Sequence, residues 1–148
     1  MYRHILIPTD GSTLAQIGVQ HGLSLASEGA RATVVTVTEP YVGQFAYAAD
    51  LWAPTEAELA AYEETQRDVA ERILAPVRSL AKQMKVTVET IHIPGRLVSN
   101  AILETAVRLG CDAIVMSSHG RTGLSRALLG SQTAAVVSEA KVPVIVVR

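Results

Sequence analysis

The sequence predicts an α/β fold in which parallel strands alternate with helices to form an open, doubly wound sheet. Apolar runs of strand length are separated by longer stretches with helical spacing throughout the 148 residues. This alternation is typical of βαβ units with right-handed crossovers, whose sheet is covered by helices on both faces. No internal repeat, linker or low-complexity segment divides the chain, so we expect a single domain over residues 1–148.

The first half of the chain predicts two strands, two helices and a long loop. Asp10-Gly11-Ser12 is a turn that ends in a helix N-cap, and Pro76 is expected to kink or split the second helix. Helical spacing puts Leu14, Ile17, His21 and Leu25 on one side of the first helix. In chain order the elements are a strand at Tyr2–Pro8, a helix from about Thr13 to Glu28, a strand at Ala32–Thr38, an irregular loop at Glu39–Pro54 and a helix from about Glu56 to Met84.

The second half continues the alternation with three strands and two helices. Pro94-Gly95 is a turn signal after the third strand, and Gly130-Ser131 stands at the start of the last helix. The elements are a strand at Val86–Ile93, a helix at Val98–Leu109, a strand at Asp112–Met116, a helix at Ser131–Ala140 and a strand at Val142–Val147.

Composition and charge exclude several classes of protein. Apolar residues make up 49% and charged residues 18%, which is typical of a globular chain. The 13 basic and 14 acidic residues give a net charge of −1, which argues against nucleic-acid or membrane-surface partners. No apolar run is long enough for a transmembrane helix, and Pro8-Thr9-Asp10 interrupts the first run where a signal peptide would continue. A single cysteine, Cys111, excludes an internal disulfide, and we expect a cytoplasmic protein without a metal site.

The most informative stretch is Ile114–Ser131, in which an apolar strand enters a loop rich in Ser, His and Gly. Gly130-Ser131 then begins a helix, and the N–H groups and dipole of a helix N-terminus favour a phosphate. The first strand also ends in polar residues, Thr9-Asp10. In an open sheet a ligand binds at the carboxyl ends of the strands where the strand order reverses. If the reversal lies between strands one and four, these two strand ends flank one ligand.

Three well-known phosphate sites do not match. The chain has no GxxxxGK[ST], which excludes a P-loop, and no GxGxxG after the first strand, which argues against a dinucleotide site. A receiver domain needs an aspartate at the end of its third strand, where this chain has His92-Ile93-Pro94.

The chain resembles the universal stress protein family along its whole length. The resemblance rests on ILIPTDGS, Gly95-Arg96, GCDAIVM and the strand VPVIVV. The nucleotide-binding branch carries G-x2-G-x9-G-[ST], and this chain has Ser117-x2-Gly120-x9-Gly130-Ser131. The resemblance implies strand order 3-2-1-4-5, a Rossmann-like, adenine nucleotide alpha hydrolase-like sheet and binding of ATP or AMP.

The resemblance also implies a role for each residue of the site. The adenine and ribose side is formed by Pro8, Thr9, Asp10 and the backbone of Val37. The ribose and phosphates are wrapped by Ser117, Ser118, His119, Gly120, Arg121, Thr122 and Gly123. The phosphates receive N–H groups and hydroxyls from Gly130, Ser131, Gln132 and Thr133. A Mg²⁺ ion on the phosphates would be held by the nucleotide and water.

Several of these roles have alternatives. Asp10 can instead be a turn residue or cap, and Ser131 is a good helix cap without any ligand. His119 either binds the ligand or packs, and Arg121 can be a solvated surface charge. Ser117 stands where the family pattern has glycine, so its Cβ either blocks the ligand or leaves a hydroxyl beside the ribose.

The residues give no basis for fast catalysis. Phosphoryl transfer needs a positioned base and strong charge neutralisation, and the chain offers no P-loop lysine, paired carboxylates or nucleophile–base pair. We therefore expect a stress-response sensing or regulatory module without catalytic residues. A slow ATPase and a nucleotide-free interaction protein are the alternatives.

Two segments point to contacts with partners. Val142–Val147 is apolar on both faces, so we expect a sheet-edge strand that pairs with its copy in a homodimer. The loop Glu39–Pro54 holds Tyr41, Phe45, Tyr47 and Trp52, which either cover a ligand or pin the loop onto the long helix.

Overall fold

The computed structural model contains one parallel sheet of five strands in the order β3-β2-β1-β4-β5, which confirms the predicted order and fold class. The structure describes residues 1–27, 29–41, 53–120 and 129–148. The strands are β1 His4–Pro8, β2 Arg31–Thr38, β3 Val88–Pro94, β4 Ala113–Ser117 and β5 Val144–Val147. The helices are α1 Thr13–Ala26, α2 Glu56–Gln83, α3 Val98–Arg108 and α4 Ser131–Glu139. All nine are elements that the sequence predicts, with ends that differ by one to a few residues.

Helices cover both faces of the sheet, and each face has its own core. Alternate residues of β1 divide between the two cores, because successive side chains of a strand point to opposite faces. On one face Ile5 and Ile7 pack with residues of α1 and α2, including Val19, Leu23, Leu74 and Val77. On the other face Leu6 packs with residues of α3 and α4, including Ile102, Ala106 and Val136.

The buried side of α1 is not the side that carries Leu14, Ile17, His21 and Leu25. Ile17 is 45% exposed, and the buried residues are Ala15, Gly18, Val19, Gly22, Leu23 and Ala26. A Cβ on Gly18 would lie 3.2 Å from the Ser117 backbone nitrogen, and one on Gly22 would lie 2.6 Å from Cδ1 of Ile7. The helix therefore approaches the sheet so closely that its contact stripe consists mainly of small residues, which a search for large apolar side chains passes over.

Of the two expected effects of Pro76, the split is wrong, since α2 runs as one helix from Glu56 to Gln83. Pro76 lacks an N–H and leaves the carbonyl of Arg72 without its helical partner. Both residues are exposed, so water can satisfy that carbonyl. The helix begins with a capping box formed by Thr55 and Glu58.

The sheet has β3 and β5 as its two edges, which confirms the predicted edge position of the last strand. The four residues of β5 are all half-buried. Pro143 precedes the strand, and its carbonyl accepts the Ile114 N–H at 2.9 Å. None of the helices within the described ranges combines the length and apolar character needed to cross a bilayer.

Candidate functional site

A cavity of about 260 Å³ opens at the carboxyl edge of the sheet, where β1 and β4 are neighbours. The crossovers leave this point in opposite directions, so it is the switch point of the sheet. The cavity is lined by Pro8, Thr9, Asp10, Ala15, Val35, Val37, Val98, Ile102, Met116, Ser117, His119, Gly120, Gly130, Ser131, Gln132 and Thr133.

The end of β1 supplies the carboxylate of the site. The Thr9 N–H donates to the carbonyl of Val35 at 2.8 Å, which extends the sheet past the last residue of the strand. Asp10 Oδ1 then accepts the Ser12 N–H at 2.9 Å, so the side chain is held within its own turn. Ser12 in turn caps α1 by accepting the Ala15 N–H at 3.2 Å. Asp10 therefore acts as a turn residue and also faces the cavity.

The end of β4 is fixed by a serine pair. The Ser117 hydroxyl donates to the carbonyl of His119 at 2.7 Å, and the Ser118 N–H donates to the carbonyl of Val147 at 2.8 Å. Lys85 is the single non-glycine residue with positive φ in the described ranges, so Ser117 needs no glycine conformation. The hydroxyl that replaces the family glycine therefore stabilises the turn, and its one hydrogen is already donated.

Two glycines allow the segments of the site to meet. A Cβ on Gly120 would lie 2.5 Å from Asp10 Oδ2, so the loop after β4 touches the carboxylate at the end of β1. A Cβ on Gly130 would lie 3.2 Å from the Ser118 carbonyl oxygen and 3.4 Å from Cα of His119. These distances are shorter than ordinary van der Waals contacts between heavy atoms. The glycine spacing therefore corresponds to two close backbone approaches.

The first turn of α4 differs from the expectation in its details. Gly130, not Ser131, is the N-cap, and its N–H donates to the carbonyl of Ser118 at 2.8 Å and is not directed to a ligand. The Thr133 hydroxyl donates to the carbonyl of Ser117 at 3.0 Å. An α-helix has no internal acceptor for its first N–H groups, which here belong to Ser131, Gln132 and Thr133. These three N–H groups are the donors that the helix end offers to an anion.

The opposite wall of the cavity is apolar, and most of it was not predicted. It is formed by Ala15, Val35, Val37, Val98, Ile102 and Met116. Of these six residues, only Val37 was predicted to belong to the site. Val98 and Ile102 come from the first turns of α3, which the strand order brings beside the end of β2. The position of α3 directly after the third strand could have indicated these residues. A helix that follows a strand begins near the carboxyl end of that strand, which is the edge of the sheet where the cavity opens.

The cavity joins an apolar wall to a polar helix end with little formal charge. Of the described residues that line it, none is Lys or Arg, and Asp10 is the acidic one. Among the described parts of the cavity, the α4 N-terminus is the source of positive potential. No group of three or more His, Cys, Asp or Glu side chains in the described ranges is placed to hold a metal ion.

The structure brings together eleven of the fifteen predicted site residues. Ser118 is buried behind the cavity wall at 4% exposure. The predicted contacts of Arg121, Thr122 and Gly123 lie outside the described residues, as do those of Phe45, Tyr47 and Trp52. Tyr41 is described, and its ring meets the edge of Tyr62 at a centroid distance of 4.9 Å.

Comparison with known proteins agrees with the geometry. A model of the universal stress protein family matches residues 1–148. The universal stress protein MJ0531 of Methanocaldococcus jannaschii is 32% identical over 151 residues, covering 100% of this chain and 83% of that protein. The solved structure of MJ0577 from the same organism has a TM-score of 0.81 at 26% identity and covers 99% of this chain and 96% of that one. A universal stress protein crystallised with cAMP has a TM-score of 0.68 at 23% identity, with 99% of this chain and 97% of that chain covered.

Proposed function

The chain belongs to the universal stress protein family, and we propose that it is a single-domain, cytoplasmic module that binds an adenine nucleotide, ATP or AMP. In this proposal nucleotide binding changes the shape of a homodimer, and other proteins recognise that shape. The bound ligand carries Mg²⁺ on its phosphates, held by the phosphates and water. The module has a regulatory role in the stress response.

The observation that carries the proposal is the division of one cavity into an apolar and an anion-binding side. Val35, Val37 and Ile102 offer a flat apolar surface for a base. The N–H groups of the first α4 turn offer donors to phosphate. Asp10 also lines the cavity and is an acceptor for ribose or base hydrogens. A nucleotide combines the matching parts, an apolar base, a ribose with hydroxyl groups and anionic phosphates.

A structural neighbour supports the same ligand class. The universal stress protein that was crystallised with cAMP holds an adenine nucleotide on this fold. The match between the two structures covers 99% of this chain and 97% of that one.

The homodimer is proposed through the edge strand β5. Val144–Val147 are half-buried in one chain, and an apolar edge strand that remains open favours association. Pairing of β5 with its copy across a two-fold axis covers both edges with one contact. Light scattering at micromolar concentration should give twice the 15.7 kDa of one chain. A mass of one chain would refute this part of the proposal.

The nucleotide site is tested by calorimetric titration of ATP, with and without Mg²⁺, into the wild type and a matched pair of variants. Val37→Trp places an indole in the apolar side of the cavity, whereas Val107→Trp makes the same change at a position on α3 that is 71% exposed. We expect micromolar binding to the wild type and to Val107→Trp, and none to Val37→Trp. Thermal melts without ligand verify that both variants fold. Equal ATP binding by the two variants would refute the site.

A further inference from the structure

The side chain of Gln132 connects the first turns of two helices at the rim of the cavity. Gln132 is the second residue of α4, and its Oε1 accepts the N–H of Ser99, the second residue of α3, at 3.0 Å. Leu97, the N-cap of α3, provides no side-chain hydrogen bond. Gln132 therefore satisfies one of the N–H groups that α3 cannot satisfy within the helix.

This hydrogen bond fixes which way the amide of Gln132 is turned. A backbone N–H is a donor only, so the atom that faces Ser99 must be the amide oxygen. The Nε2 group then points away from α3 with two N–H donors. Among the residues that the structure describes, no acceptor for Nε2 is found. Gln132 is exposed and lines the cavity, so these donors lie at its open rim.

We propose that Gln132 determines phosphate-chain specificity, by donating from Nε2 to the phosphates beyond the first one of an adenosine di- or triphosphate. The inference rests on the proposed function. The apolar wall holds the base inside the cavity, and the α4 N–H groups reach the nearer phosphate. An exposed side chain at the rim meets the part of the ligand that extends outward. The hydrogen bond to Ser99 holds the amide in place, so its Nε2 donors are oriented before the ligand arrives.

The informative variant is Gln132→Glu, because it separates the two roles of the side chain. A carboxylate still accepts the Ser99 N–H, and an acidic residue in the first turn of a helix interacts favourably with its dipole. The variant therefore keeps the fold, and its thermal midpoint without ligand should equal or exceed that of the wild type. It loses both Nε2 donors and places a negative charge beside the phosphates. Gln20→Glu, at an exposed position of α1, is the control for the same chemical change.

The experiment measures dissociation constants of ATP, AMP and adenosine for the wild type, Gln132→Glu and Gln20→Glu. We expect Gln132→Glu to weaken ATP by about tenfold or more, as for the loss of hydrogen bonds to a charged group. Adenosine should bind equally to all three proteins, and AMP should be affected less than ATP. Hydrogen exchange of the Ser99 amide, which should stay protected in Gln132→Glu, reports whether the helix contact survives.

The outcomes distinguish this inference from the proposed function. If the wild type binds ATP and Gln132→Glu leaves the ratio of ATP to AMP affinity unchanged, the specificity role of Gln132 is wrong and the nucleotide site stands. An equal loss of ATP, AMP and adenosine would also overturn it, because Gln132 would then only position the two helices. A wild type that binds no adenine nucleotide overturns the proposed function, and this inference with it.

Discussion

The contact between Gly120 and Asp10 gives the sharpest test of the site geometry, because it involves no ligand. The two residues are 110 positions apart in the chain and meet only if β1 and β4 are neighbours. A Cβ on Gly120 would lie 2.5 Å from Asp10 Oδ2. Gly120 is not in the left-handed region, so alanine at this position is hindered by the carboxylate and not by its own backbone. Gly120→Ala should therefore destabilise the protein.

The size of the effect follows from the displacement that the added Cβ requires. Ordinary contacts between heavy atoms are about 3.5–4.0 Å, so the carboxylate must move by about 1 Å. The carboxylate resists this movement because its Oδ1 is held by the 2.9 Å hydrogen bond from the Ser12 N–H, which the movement strains. Overpacking of this kind costs about 1–3 kcal/mol, and the lower entropy of the unfolded alanine chain offsets about 0.4–1 kcal/mol. The net loss should be about 1–2 kcal/mol in the free energy of unfolding.

Urea denaturation followed by far-ultraviolet circular dichroism measures this loss, and a double-mutant cycle identifies its cause. Asp10→Ala removes the carboxylate and the hydrogen bond together. If the carboxylate is what Gly120→Ala strikes, the double variant should be more stable than the sum of the two single losses by about 0.5 kcal/mol or more. Strictly additive losses, or a Gly120→Ala protein as stable as the wild type, would refute the contact between the two strand ends.

Two further predictions concern the frame around the site. Gly22→Ala should lower the free energy of unfolding by about 1–2 kcal/mol, because the alanine Cβ would lie 2.6 Å from Cδ1 of buried Ile7. This loss is expected although alanine is the better helix former. Urea unfolding measures it, and a variant more stable than the wild type would contradict the close approach of α1 to the sheet. Hydrogen bonds from the backbone N–H of His4, and next from that of Arg3, lower the pKa of the Asp112 carboxyl in the folded protein. The stability that Asp112 contributes is therefore fully present above its ordinary pKa of 3.8 and is lost as the pH falls through the lower pKa of the folded state. Asp112→Asn should flatten this acid dependence in urea titrations at a series of pH values, and an unchanged slope would show that the carboxylate has no part in it.

The local signals in the sequence were sufficient for the elements and for the two ends of the site. β-branched runs predict strands, and Ser12, at the predicted cap, begins α1. The buried stripe of α1 could not be predicted, for a physical reason. It depends on the distance between helix and sheet, and a short distance selects Gly18 and Gly22, whose periodicity carries no hydrophobic signal. The continuity of α2 at Pro76 likewise depends on the exposure of Arg72, which only the packing of the helix decides.

The phosphate side shows the same limit at the level of single hydrogen bonds. The motif predicts that the Gly130 N–H faces the phosphates, but this N–H donates to Ser118, which is twelve positions earlier in the chain. Sequence alone does not separate an N–H that awaits a ligand from one that holds the loop. The apolar wall was missed for a related reason, since Val98 and Ile102 reach the cavity only through the order of the strands.

The bonds that fix the loop also give the proposed sensing function a route through the protein. The carbonyl of Ser118 accepts the Gly130 N–H at the start of α4, and the Ser118 N–H donates to the carbonyl of Val147 in β5. One buried residue thus joins the helix end proposed for phosphate to the edge strand proposed for the dimer. A ligand that moves the first turn of α4 therefore acts on Ser118, which is also hydrogen-bonded to β5. If nucleotide binding tightens the dimer by some factor, linkage requires dimerisation to tighten nucleotide binding by the same factor.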